Sequence, residues 1–229
     1  MSDNSFFREV DDAVRQEQYK ALWDKYGVLI LVAAACVIVG VAAYKGWTYW
    51  QGRQGQKAGA EFSQALTLES PPASDTKKAE AMFDALAKSG PEGYQVLAHF
   101  QIAAAAARDG KTDEAVADYD ALATDSEVDS ILQGLAAIQA ATLRLDTADY
   151  SEMERRLKGL TGSDNPWRFS ARELLGLSAY QHNDMRVAEE QFSELLGDQG
   201  TPPNMRDRAN MMLALIVGNP PAVSDAKTN

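Results

Sequence analysis

The chain has 229 residues and a formal net charge of −11 at neutral pH, room for one ordinary domain with appendages. From residue 58 onward 27 acidic side chains stand against 15 basic ones, a net of −12 (27 minus 15), and a surface that acidic repels phosphate backbones and argues against nucleic-acid binding. The single cysteine, Cys36, rules out a disulfide within the chain, and plentiful Ala, Glu and Leu favour an all-α fold.

Residues 1–26 read as a short charged arm. Phe6, Val10, Val14 and Trp23 would share one face of a helix lying at a bilayer surface; a tail that becomes helical only near lipid fits the same residues.

Val28 to Tyr44 follows without a charged residue. Gly27 extends this run on one side and Gly46 to Trp50 on the other if Lys45 snorkels, which sets a transmembrane helix and its interfacial belt at residues 27–50. At about 1.5 Å per residue, some twenty residues match a hydrocarbon core of about 30 Å. Trp23 and Tyr26 precede the run; Tyr44, Trp47, Tyr49 and Trp50 follow it. Amphipathic rings collect in the headgroup layers, whereas a buried core helix needs no rings at both ends. A cleaved signal peptide is the competing reading, because Val41-Ala42-Ala43 offers small residues to a signal peptidase. The six acidic residues ahead of the run and the aromatic cluster behind it speak against cleavage. Four basic residues before the span (Arg8, Arg15, Lys20, Lys25) against three after it (Lys45, Arg53, Lys57) tilt the N-terminus toward the cytoplasm.

Residues 51–218 read as helix after helix, punctuated by Ser70-Pro71-Pro72, Ser89-Gly90-Pro91, Asp109-Gly110, Gly162 to Pro166 and Gly200 to Pro203. Four segments repeat: KKAEAMFDAL from Lys77, DEAVADYDAL from Asp113, SEMERRLKGL from Ser151 and RVAEEQFSEL from Arg186. Their large anchors, Phe83, Tyr119, Leu157 and Phe192, are spaced 36, 38 and 35 residues apart. Four residues before each stands Ala79, Ala115, Met153 or Ala188; three after it stands Leu86, Leu122, Leu160 or Leu195. That pattern is one helical face, small where a neighbour approaches and large where the gap is filled. It resembles the second helix of a tetratricopeptide repeat. Leu175-Gly176, Ile102-Ala103 and Ala140-Ala141 fall where the first helices should pair with it, and the third repeat is degenerate. The expected architecture is a single N-terminal transmembrane helix followed by an α-solenoid of about four helix pairs. A helix over Asn204 to Val217 caps it, and a disordered tail covers 219–229.

Tetratricopeptide stacks bind extended peptides along the groove of their first helices. Counting from the anchors puts groove positions at Leu97, Phe100 and Ala104, at Leu135, Ile138 and Thr142, and at Glu173, Leu177 and Tyr180. An apolar groove with an acidic rim suits exposed hydrophobic segments better than a peptide carboxylate. The alternative, that these residues belong to the core, remains open at this point. Catalysis finds no footing. His99 and His182 are isolated, and zinc-ligand spacing, phosphate loops and nucleophile elbows are absent, so no enzyme activity, cofactor or metal is expected.

The order of features resembles the YfgM-type ancillary subunits of the Sec translocon, a bacterial inner-membrane family. The motifs are Arg8-Glu9-Val10-Asp11-Asp12 with Arg15 and Glu17, then Leu22-Trp23-Asp24-Lys25-Tyr26-Gly27, a single span, and Gly46-Trp47-Thr48-Tyr49-Trp50 leading into the repeats. The resemblance implies a cytoplasmic N-terminus, a periplasmic repeat domain, and association with Sec subunits, periplasmic chaperones and newly exported chains. The alternative function is a structural scaffold for an envelope assembly or cell-division complex.

Overall fold

The computed structural model describes residues 3–70 and 75–218, with the backbone alone for residues 3–22, Asp24 and Ile30. Among the described residues 83 % are helical and none lies in a strand, so the fold is all-α. The amphipathic face expected of Phe6, Val10 and Val14, and the tail from residue 219, lie outside what is described.

Helix α1 (Asp3–Glu69) runs unbroken through the arm, the apolar run and the start of the repeats. No proline interrupts it before Pro71, where the missing N–H and the ring would end any helix. Then follow α2 (Thr76–Ser89), α3 (Glu92–Arg108), α4 (Thr112–Thr124), α5 (Ser130–Arg144), α6 (Tyr150–Leu157), α7 (Arg168–Gln181), α8 (Met185–Gly197) and α9 (Pro203–Gly218). The chain divides into two compact units, residues 1–57 and 58–229.

In the first unit Val28, Leu29, Leu31, Val32, Val37, Ile38, Val39 and Val41 are all exposed, and among the described residues one stretch, Lys25–Glu69 of α1, is by length and composition long and apolar enough to cross a membrane.

In the second unit the helices alternate between two roles. First helices are the end of α1, α3, α5 and α7; second helices are α2, α4, α6 and α8; α9 closes the stack against α8. The repeated face is buried as its spacing predicts. Ala79, Ala115, Met153 and Ala188 are fully buried, and the anchors Phe83, Tyr119, Leu157 and Phe192 are at most 4 % exposed. Each such anchor contributes about 2–3 kcal/mol by leaving water. Four apolar clusters result, each spanning one helix pair and the next first helix. That is the nearest-neighbour arrangement of a solenoid.

Local chemistry sets the turns. Asp75, Asp149 and Asp184 cap the second helices α2, α6 and α8, accepting from the N–H of Lys78, Glu152 and Val187 at 3.2, 2.7 and 3.1 Å. Each stands four residues before the small residue of its repeat. Gly110 (φ 78°) and Asn183 (φ 60°) occupy one equivalent position, five residues before Ala115 and Ala188. Both close the same helix-ending turn: Lys111 N–H donates to Ala106 and Asp184 N–H to Ala179, each at 2.9 Å. Only glycine or asparagine adopts that left-handed backbone readily.

The third repeat departs from the others. α6 has only 8 residues and continues as a 3₁₀ turn, Lys158–Leu160. The tighter winding rotates Leu160 off the anchor face, leaving it half-buried where Leu86, Leu122 and Leu195 are buried.

Candidate binding surface

Each first helix is gripped on two sides, and this fixes what its third side offers. In α5, Ala136 and Ala140 join the cluster with α4, while Ile138 and Ala141 join the cluster with α6 and α7. Helical rotation leaves Leu135, Gln139 and Thr142 on an open face, half-buried in the first case and exposed in the other two. In α3, Val96, Phe100 and Ala103 turn toward α4 and Tyr94, Ala98 and Ile102 toward α2, so Leu97, at 36 % exposure, and Ala104 are left open. In α7 the corresponding positions are Glu173 and Leu177, with Leu177 resting on the α8–α9 cluster.

Five of the expected groove residues, Leu97, Ala104, Leu135, Thr142 and Glu173, therefore share the open face of the first helices. The other four do not. Phe100 lies against Tyr119, ring centroids 5.8 Å apart; Ile138 is core at 8 % exposure; Leu177 and Tyr180 pack on the α8–α9 cluster. The spacing rule fails at these positions because they sit where the open face curves into a neighbouring helix, and apolar side chains there turn inward.

The open face is also less apolar than expected, because polar pairs tie a first helix, or the turn that ends it, to the helix one repeat later. Arg108 donates to Glu69 at 2.8 Å, Gln181 to Asp146 at 3.0 Å, and Arg208 makes a two-pronged contact with Glu173 at 2.5 and 2.8 Å. The partners lie 39, 35 and 35 residues apart, close to one repeat. The hydrogen bonds to Glu173 raise the Arg208 pKa further. An acid in one repeat facing a base or amide one period later was the signal available in the sequence.

On the opposite side, between second helices α4 and α6, a cleft of about 530 Å³ opens over Gly134 and Ala137 of α5. The short α6 leaves it unfilled. Arg156 in its wall bonds Asp120 and, at 3.0 Å, Glu152. Burial opposes the charge of Arg156, but these carboxylates outweigh it and its pKa is raised. That guanidinium is a fixed cation and shuttles no proton.

His99 and His182 are both exposed, and His182 Nδ1 lies 2.8 Å from the Ser178 carbonyl at the end of α7. Among the described residues, no group of three or more His, Cys, Asp or Glu side chains is placed to hold a metal ion.

With this geometry in view, comparison with known families is decisive on one point. Residues 20–176 match the tetratricopeptide repeat-like domain, a stretch that opens ahead of the apolar run and closes within α7. The chain belongs to that family. No curated protein and no solved structure matches it. Tetratricopeptide repeat-like domains are typically non-catalytic modules of protein interaction.

Proposed function

We propose that this tetratricopeptide repeat-like protein is anchored in the bacterial inner membrane by residues 27–50. Its N-terminal arm is cytoplasmic and its repeats are periplasmic, where it assists newly exported chains as an ancillary subunit or chaperone beside the Sec translocon. The observation that carries the anchoring is the exposure of Val28, Leu29, Leu31, Val32, Val37, Ile38, Val39 and Val41 on the helix that continues into the first repeat. A bare apolar surface of that extent marks a lipid or protein contact. Both ends of the apolar run carry exposed aromatic rings, Trp23 and Tyr26 on one side and Tyr44, Trp47, Tyr49 and Trp50 on the other.

The translocon assignment rests on the order of motifs and on effective concentration. A weak site held beside an exit channel meets its clients without tight affinity. Leu97, Ala104 and Leu135 supply apolar contact on the open face. The polar ties from one repeat to the next favour a second reading, a scaffold whose stiff face receives one folded partner.

The test is in membranes. Alkaline extraction should leave the chain in the bilayer, and protease added to spheroplasts should remove the repeats. Intact mass should show the N-terminus uncleaved. Crosslinking should then recover Sec subunits and nascent exported chains; a single stoichiometric folded partner would favour the scaffold. A soluble mature chain lacking its first forty or so residues would end the proposal.

A further inference from the structure

We propose that Lys45, Tyr49 and Arg53 form a binding site for the phosphate of anionic phospholipids at the repeat-side end of the span; the proposal rests on the membrane reading above. From Lys25 to Ala60 the chain contains no acidic residue and carries Lys25, Lys45, Arg53 and Lys57, in sharp contrast to the −12 net of residues 58–229. Such a stretch beside an acidic domain is a local reversal of charge.

The three residues recur every fourth position, so they lie on one helical face, with Lys45 and Arg53 about 12 Å apart along the axis. The Arg53 guanidinium carbon lies 5.2 Å from the centre of the Tyr49 ring. It is thus turned back toward the apolar run and not on toward the repeats, as the N-terminal tilt of helical side chains favours. Lys45 sits at the edge of the run, where its ammonium must snorkel outward. The two cations bracket Tyr49, an exposed ring suited to the headgroup layer. The neighbouring Trp47 and Trp50 rings, 5.6 Å apart, mark the same level. Basic residues at a membrane surface recognise the negative charge of lipid phosphate rather than a particular headgroup shape.

The experiment uses the full chain carrying Trp23→Phe, reconstituted in phosphatidylcholine vesicles with and without phosphatidylglycerol. Quenching of tryptophan fluorescence by brominated phosphatidylcholine or brominated phosphatidylglycerol gives the relative affinity of the two lipids for the Trp47 and Trp50 end. Preference for phosphatidylglycerol is expected, up to about fivefold per basic residue, the ratio that corresponds to about 1 kcal/mol. It should weaken with salt and fall to near unity in Lys45→Gln/Arg53→Gln. Equal quenching by both lipids would overturn the site while leaving the span intact. A preference unchanged in the double variant would place the recognition elsewhere and overturn it too. Absence of quenching by either lipid would remove the span and the site together.

Discussion

Gly176 of α7 lies directly against the ring of Phe192 in α8: a β-carbon added at 176 would stand 2.9 Å from Cζ and 3.0 Å from Cε2. The ring is 1 % exposed and has nowhere to go. Gly176→Ala is therefore expected to destabilise the repeats by about 1–2 kcal/mol, overpacking outweighing the gain in helix propensity. Gly93→Ala in α3 meets nothing within 4 Å and should be neutral or slightly stabilising. Denaturant unfolding followed by circular dichroism compares the two; equal midpoints would show that the close approach carries no energy.

Trp167 clamps the third and fourth repeats. Its indole N–H donates to the Ile131 carbonyl at 2.9 Å, and its Cδ1 would lie 2.3 Å from a β-carbon at Gly134. Trp167→Phe loses the hydrogen bond and part of the ring and should cost about 1–3 kcal/mol. Gly134→Ala should cost a comparable amount alone, and less once the indole is gone. The double-mutant cycle measures that coupling, and strict additivity would refute the clamp.

Much of this was legible beforehand. Anchors such as Phe83 and Phe192 and small partners such as Ala79 and Ala188 obey a strict helical period, and burial follows from period alone. The last helix, expected over Asn204 to Val217, spans Pro203–Gly218. What escaped detection depends on pairs distant in sequence. Glu173 and Arg208 look like ordinary surface charges unless their separation of 35 residues is set against the repeat period. Phe100, Ile138 and Tyr180 share the spacing of the open face, yet side-chain size and the approach of neighbouring helices draw them inward. The capping aspartates Asp75, Asp149 and Asp184 were readable at a fixed offset from each small residue. The shortness of α6 was foreshadowed by Gly159, which weakens the helix where the anchor pattern asks it to continue.

Acid should loosen the repeats through Asp198 and Asp149. Asp198 accepts from Arg168 at 2.8 Å and from the Gly200 N–H at 2.8 Å, and the guanidinium above all holds its pKa below the ordinary 3.8. Asp149 is lowered chiefly by the Glu152 N–H, with help from the Ser151 hydroxyl. In both cases the folded state holds its proton less tightly than the unfolded chain does. The stabilisation is complete above the ordinary carboxylate value and is lost as pH falls through the lowered one. Asp198→Asn should reduce stability at neutral pH and flatten the acid limb below about pH 4. Unfolding midpoints across that range test it; parallel curves for variant and parent would contradict the assignment.

The open face and the core beneath it respond differently to charge, and this separates binding from folding. Ile138→Asp places a carboxylate in the cluster with Met153, Leu157 and Leu175 and should cost more than about 3 kcal/mol, enough to melt the third repeat. Phe100→Asp strips the ring from Tyr119 with a similar result. Leu97→Glu and Thr142→Glu, both at exposed positions, should leave the helical signal and midpoint within about 0.5 kcal/mol of the parent. If apolar segments dock on this face, the two exposed substitutions together should still reduce crosslinking to newly exported chains several-fold. Full crosslinking by a folded Leu97→Glu/Thr142→Glu chain would move the contact off the first helices.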